Sequence, residues 1–320
     1  MKPVLLVLDD WEKLIQQAHC WDQLNNLVEI KFLKQSIDRT PDSEIEQAEF
    51  LLAIRERTIL DENLFKRLPR LKLLLQTGGH NYHIDVAAAS RRNIAIALGR
   101  QAAAPQASVP ELTFAFMLTL IHKIHHGDRS MRNGEWELFT GQTLSGKKLG
   151  ILGLGRHGSR VAQIASTAFN MDVTAWDRTG NSWITSKVKR LSLEELLETS
   201  DVVSIHLRLS NESVGLMNKE WLAKMKRGAF LINTSRGAMV DEQALVEALK
   251  TKKIAGAGLD VFAQEPLAND SPLRTLDNVI LTPHIGWTVK EVFEEFATIA
   301  CTQLKNYLNG MVYDPQFLSF

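Results

Sequence analysis

Short apolar runs with little internal alternation recur at residues 4–8, 28–33, 50–54, 71–76 and 94–98. Segments with the helical spacing of apolar positions lie between them, at 42–48, 61–68 and 84–91. An apolar run that does not alternate suits a strand covered on both faces, the condition of a parallel sheet flanked by helices. The same rhythm resumes at 149–154, 172–176, 202–207, 229–233, 256–261 and 279–281. Two such series predict an α/β fold of two doubly wound parallel-sheet domains with a cleft between them. Residues 99–110, alanine-rich with two prolines, read as a connection. The strongly apolar stretch 111–124 reads as a helix opening the second domain and packing along the seam. After Trp287 the spacing is helical to about Asn309, so a final helix is expected to return to the first domain. The expected boundaries are 1–107, completed by 289–320, for one domain and 108–288 for the other.

Composition narrows the function. Lys plus Arg and Asp plus Glu both number 37, so no net field draws the chain to nucleic acid or an anionic membrane. No apolar run reaches the length of a membrane span, and the N-terminal run is cut short by Asp9-Asp10, unlike a signal peptide. The expectation is a cytoplasmic protein. The two cysteines, Cys20 and Cys301, are far apart in sequence and lack zinc or redox spacing, so a disulfide framework is not expected.

Chemistry first shows itself after the strand at 149–154. It runs into Gly153-Leu154-Gly155-Arg156-His157-Gly158 and then into a helical pattern through Val161, Ala162, Ile164 and Ala165. Between a buried strand and an amphipathic helix this spacing has a physical purpose. Gly153 permits the tight turn, Gly155 lets backbone approach a pyrophosphate, and Gly158 allows close helix–strand packing. The amides opening the helix, at Arg156 and His157, meet the phosphates. Asp177 ends the next strand 19 residues after Gly158, where a carboxylate binds the ribose hydroxyls of NAD and repels the 2′-phosphate of NADP. Arg178 beside it is a cofactor contact of the opposite leaning, since an arginine there can hold that phosphate.

Three further segments carry a resemblance. They read Asn233-Thr234-Ser235-Arg236-Gly237, Gly258-Leu259-Asp260-Val261-Phe262 leading to Glu265-Pro266, and Thr282-Pro283-His284-Ile285-Gly286. With the glycine fingerprint, they resemble the D-2-hydroxyacid dehydrogenase family. In the first domain the resemblance rests on residues 71–85 and on Ser108-Val109-Pro110-Glu111. It implies a Rossmann cofactor domain, a flavodoxin-like substrate domain, and hydride transfer between NAD and C2 of a small 2-hydroxy or 2-oxo acid. His284 matches the family's acid/base position, and imidazole suits a hydroxyl proton moved near neutral pH. Glu265 matches the carboxylate that steadies the imidazolium, and Arg236 the residue that binds the substrate carboxylate. By the same resemblance His206, Thr234, Asp260 and Gly286 contact the cofactor, Asp260 near the nicotinamide amide. The backbone of Gly78 and Gly79 receives the substrate carboxylate.

Other residues admit two readings. His122, His125 and His126 have helical metal-site spacing but lack an added carboxylate, so a helix surface is expected and no metal. Arg55 or Arg57 is a second cationic substrate contact or a surface residue, and Arg208 touches phosphate or solvent. The helix at 112–124 is apolar beyond one face, which fits burial inside one subunit or, as its family counterpart implies, packing across a two-fold interface, so a homodimer is expected. Trp136 resembles a tryptophan that in some reductases of the family reaches the partner's active site, and plain interface packing is the expected role. Within the family, glyoxylate or hydroxypyruvate reductase is the nearer alternative. A phosphoglycerate dehydrogenase with an appended regulatory domain is disfavoured because the chain ends at Phe320. The formate dehydrogenases of the superfamily place glutamine where Glu265 stands. Outside enzymes, a corepressor-like NAD-sensing protein keeps the same fold.

Overall fold

The computed structural model describes residues 2–100, 102–177 and 188–310. The chain divides into two compact units, Met1–Ala104 with Thr288–Phe320, and Pro105–Trp287.

The first unit carries β1 (Val4–Val7), β2 (Glu29–Phe32), β3 (Ala48–Ala53), β4 (Leu73–Gln76) and β5 (Ala95–Leu98). They form one parallel sheet in the order β2-β1-β3-β4-β5. The helices between these strands are short: α1 (Asp42–Ile45), α2 (Glu62–Arg67) and α3 (Val86–Arg91). Two aspartates set where α2 and α3 begin. Asp61 accepts the Leu64 amide and Asp85 accepts the Ala88 amide, filling donors that the first turn leaves orphaned. The helix expected from residue 84 therefore starts at Val86. The one expected over 42–48 stops at Ile45, because Ala48 is already in β3. One face of the sheet packs Leu6, Leu51, Leu74 and Ile96 against Phe65, Leu68 and Ala88.

The second unit opens on α4 (Pro105–Ile121) and α5 (Ile124–Arg132), then β6 (Lys148–Leu152), α6 (Arg156–Ala168), β7 (Asp172–Trp176) and β8 (Lys189–Arg190). After these come α7 (Leu193–Thr199), β9 (Val202–Ile205), α8 (Lys219–Lys224), β10 (Phe230–Asn233), α9 (Glu242–Lys250), β11 (Gly256–Leu259) and β12 (Val279–Leu281). The seven strands are parallel in the order β12-β11-β10-β9-β6-β7-β8. Alternate residues of each strand feed two apolar layers, as a period of two requires. Leu149, Ile151, Val202 and Ile232 join α4 and α6, whereas Leu152, Val203, Ile205 and Leu231 join α7 and α9.

Two expectations about the start of this unit need correction. The segment 99–110 is not all connection, since α4 already begins at Pro105 and carries Pro110 within it. Pro110 removes one amide near the helix start, which leaves the Gln106 carbonyl, on a half-buried residue, without its intrahelical donor. The helix also ends earlier than residue 124. Lys123 takes a left-handed φ of 56° and separates α4 from α5, so the three histidines do not share one helix. His125 instead reaches the Asp277 carbonyl at 3.1 Å, and His126 lies tilted against Phe139 with ring centroids 5.5 Å apart. The apolar side chains of α4 are buried within their own unit, Phe116 against the bare strand at Gly258 and Leu120 near Gly256.

The chain then returns to the first unit through α10 (Lys290–Leu308). Tyr307 meets Phe50 edge to face at 5.9 Å, and Gln303 donates to the Leu98 carbonyl. Glu295 accepts the amides of Ala103 and Ala104. Among the described residues no helix is long and apolar enough to cross a membrane.

Candidate active site

In a doubly wound sheet, ligands gather beyond the carboxyl ends of the strands where the strand order reverses. In the second unit that reversal falls beside β6, between β9 and β7. The predicted residues follow the ends of these strands: Gly153–Gly158 after β6, Asp177 after β7, His206 after β9, Thr234–Arg236 after β10, Asp260 and Glu265 after β11, His284 after β12.

The loop after β6 fits a dinucleotide. Gly153 adopts φ 99°, which ends the strand at Leu152, short of the expected residue 154. A Cβ on Gly158 would lie 1.9 Å from the Gly153 carbonyl oxygen, so α6 can start this close to the turn only without a side chain. A Cβ on Gly155 would meet nothing within 4 Å, which leaves room above the helix amides. Both carboxylate oxygens of Asp177 are buried and accept no hydrogen bond from the described residues, while Arg190 lies 3.3 Å away as an ion pair. Ribose hydroxyls are the donors such a carboxylate lacks. Arg190, carried by the two-residue strand β8, is a cation that sequence reasoning missed, because a pair of charged residues gives no strand signal. Arg178 lies outside the described residues.

His206 closes the other side of the Gly153 turn. Its backbone carbonyl would lie 3.0 Å from a Cβ there, and its Nε2 is 2.8 Å from Ser204 Oγ. Desolvation, with the nearby His157 adding to it, pushes the imidazole down to about 3, so the ring is neutral in ordinary buffers. Arg208 is exposed, with its carbonyl accepting Ser213 Oγ.

The remaining loops converge on one another. Gly237 has no space for a side chain, since a Cβ would lie 1.9 Å from the Phe262 carbonyl carbon. The backbone after Arg236 is thus pressed against the one leading to Glu265. Asn233 bridges the Arg236 carbonyl and the Ser235 amide and fixes that turn. Glu265 Oε1 accepts the Phe262 amide at 3.0 Å, and Oε2 lies 2.7 Å from His284 Nδ1. Burial pushes the Glu265 carboxyl up, but the hydrogen bond and charge of His284, the Phe262 amide and the charge of Arg236 outweigh it. The net direction is below the usual carboxylate range. Arg236 therefore stands within electrostatic reach of the His284–Glu265 pair.

His284 has a φ of 55°, in the left-handed region that costs a non-glycine residue about 1–2 kcal/mol. The neighbouring Asp260 accounts for it. Only 1% exposed, its carboxylate accepts Thr282 Oγ1 at 2.5 Å, the Ile285 amide at 2.7 Å and the Gly286 amide at 2.8 Å. Burial raises its pKa, against the pull of these donors and of His284. A second tether was also illegible in sequence: Ser108 of α4 donates to the Gly286 carbonyl at 2.8 Å. Thr113 of the same helix meets Thr234 at 3.1 Å.

In the first unit Gly78 follows β4 with φ 85°, and a Cβ there would lie 2.3 Å from Arg55 Nη1. A Cβ on Gly79 would lie 3.2 Å from Arg100 Cγ. The two arginines left open by sequence separate here. Arg57 forms a two-pronged ion pair with Glu12 and donates to the Asp9 carbonyl. Arg55, itself at φ 55°, lies over Gly78 with its amide on Thr77 Oγ1.

A glycine turn, a buried acid that accepts no hydrogen bond from the described residues and a histidine–carboxylate pair on one parallel sheet define a dinucleotide-dependent oxidoreductase. Residues 114–286 match the sequence profile described as D-isomer specific 2-hydroxyacid dehydrogenase, NAD binding domain. The chain belongs to that family of NAD-dependent oxidoreductases. It is 33% identical to hydroxypyruvate reductase of Blautia hydrogenotrophica over 94% of this chain and 92% of that protein. It is 35% identical to D-3-phosphoglycerate dehydrogenase of Archaeoglobus fulgidus over 81% of this chain, yet spans only half the length of that relative. D-lactate dehydrogenase of Aquifex aeolicus, solved with NAD and lactic acid, superposes with a TM-score of 0.81 at 29% identity, covering 97% of this chain and 96% of the other.

Asp260→Asn keeps one acceptor oxygen and turns an amide toward the Gly286 N–H. It should lower stability by about 2–3 kcal/mol in urea unfolding. Hydrogen exchange at Ile285 and Gly286 should accelerate. Unchanged exchange at these amides would show that the His284 loop is held by something else.

Proposed function

We propose that the chain interconverts a small D-2-hydroxy acid and its 2-oxo acid, with NAD as the hydride partner. The observation carrying this reading is the 2.7 Å pair between His284 Nδ1 and Glu265 Oε2, beside Arg236. Glu265 engages Nδ1, so Nε2 is the nitrogen left to exchange a proton with the C2 oxygen. NAD, when bound, accepts or supplies the hydride at C2. Gly153, Gly155 and Gly158 shape its phosphate turn, with the amides at Arg156 and His157. Asp177 takes the ribose hydroxyls, and His206, Thr234, Asp260 and Gly286 line the rest of its bed. Arg178 is retained as a proposed contact on sequence grounds.

Arg236 holds the substrate carboxylate through its planar fork and polarises the C2 oxygen. During reduction His284 gives up its Nε2 proton as charge grows on that oxygen. The anionic Glu265 steadies the imidazolium before transfer, and its lowered pKa keeps it charged well into the acid range. Gly78 and Gly79 are proposed substrate-carboxylate contacts on the resemblance alone. Short 2-oxo acids such as hydroxypyruvate and glyoxylate are the first substrates to examine, since a relative aligned over nearly its whole length bears the name hydroxypyruvate reductase.

A homodimer is the proposed assembly. The sequence argument placed it on the helix at 112–124, of which Phe114, Phe116, Met117, Leu120 and Ile121 are buried in the second unit's own core while Ile124 is exposed. Support moves to α5 and the segment after it, where Met131, Trp136 and Leu138 are exposed, the last two at 81% and 87%. Light scattering at micromolar concentration should read twice the chain mass. A monomer there defeats the assignment.

The chemistry is tested by pH profiles of two variants. Reduction needs the imidazolium, which is present at low pH and lost as pH rises. Glu265→Gln keeps the shape but removes the charge that favours the cation, so the alkaline fall in kcat/KM for reduction should move to lower pH. NADH affinity should stay nearly unchanged. His284→Asn should reduce kcat in both directions by about 10²–10⁴-fold. Unmoved profiles in the first variant, or near-normal turnover in the second, contradict the roles given to the pair.

A further inference from the structure

The chain has two cysteines, and the fold places them together. Cys20 lies in the 3-10 turn His19–Gln23 and Cys301 in α10, at opposite ends of the chain but both in the first unit. Sequence spacing alone gave no reason to pair them. Both are free thiols and both are buried, at 8% and 2% exposure. Cys301 Sγ donates to the Cys20 carbonyl oxygen at 3.1 Å, which sets the second thiol against the backbone of the first. Trp21, the next residue, is anchored through Nε1 to the Ile15 carbonyl, and Lys305, one turn beyond Cys301, reaches Gln23 Oε1. The turn and the helix are thus fixed to each other on both sides of the sulfurs.

We propose that Cys20 and Cys301 are an oxidisable pair, a modification site at which peroxide closes an intramolecular disulfide between the two ends of the first unit. The Cys301 thiolate attacks one peroxide oxygen and the O–O bond breaks, leaving a sulfenic acid and a hydroxide that takes up a proton. Cys20 then attacks the sulfenic sulfur, loses its proton, and expels the second oxygen as water. Two thiols are oxidised, one peroxide is reduced, and two waters leave. The order of attack follows the local charges. The neighbouring Cys20, and then Lys305, lower the pKa of the Cys301 thiol, while the neighbouring Cys301, burial and the charge of Glu294 raise that of Cys20. The bond would join α10 to the N-terminal segment covalently and remove freedom from the unfolded chain.

The test uses the whole chain, folded, with hydrogen peroxide as the probe. After quenching, the protein is unfolded in urea so that burial no longer shields either thiol, then treated with maleimide. The oxidised chain should take up no maleimide, lose two hydrogens in mass, and yield a digest peptide joining Cys20 to Cys301. Dithiothreitol should restore both labels. The oxidised form should melt above the reduced one, and Cys20→Ser and Cys301→Ser should abolish that rise while leaving basal activity in place. Two maleimide labels after oxidation, sulfinic acid without a joined peptide, chains cross-linked to each other, or an unchanged Tm would each overturn the proposal.

Discussion

The carboxylate of Asp260, buried at the end of β11, accepts three donors from the segment Thr282–Gly286, and the geometry of the catalytic candidates depends on that grip. A left-handed backbone at His284 is uphill for any residue with a Cβ, so something must over-determine it. Two amides and a hydroxyl on one desolvated anion do so, because charge-assisted hydrogen bonds strengthen away from water. Once the loop is set, His284 Nδ1 falls on Glu265, and the proposed reaction uses the other ring nitrogen, Nε2.

Close backbone approach gives the other half of the arrangement. Gly237 lets the turn carrying Arg236 lie against Phe262, three residues before Glu265, and Gly158 lets α6 start against the Gly153 turn. Helix α4 then buttresses both sides, through Ser108 on Gly286 and Thr113 on Thr234. The His284–Glu265 pair is itself partly open to solvent, so its direct contribution to folding is small. In the proposed reaction its part is proton transfer, while stability comes from the two apolar layers around the sheet.

Much of this was legible in the sequence. Apolar-rich runs gave eleven of the twelve strands among the described residues, and the missing one, Lys189–Arg190, has no apolar residue to announce it. The glycine fingerprint and Asp177 could be placed because each residue type answers one steric or electrostatic need. Helix limits were harder. Pro110 signalled a helix start that the chain ignores, and nothing in the apolar spacing marks the left-handed Lys123. Contacts across long separations were not readable, which hid the tethers from Asp260 and Ser108. The same limit hid the meeting of Cys20 with Cys301. Arg55 and Arg57 looked equivalent until Glu12, far from both in sequence, claimed Arg57.

The account rests on strand-end residues of one parallel sheet acting together on the C2 oxygen of a 2-oxo acid. The most direct test incubates the purified chain with NADH and a panel of short 2-oxo acids, follows nicotinamide absorbance, and resolves the product on a chiral column. The account predicts NADH oxidation with at least one of them, and a D-2-hydroxy acid as the product wherever C2 becomes a stereocentre. A chain that binds NADH but reduces no 2-oxo acid, or that yields the L-enantiomer, would contradict it.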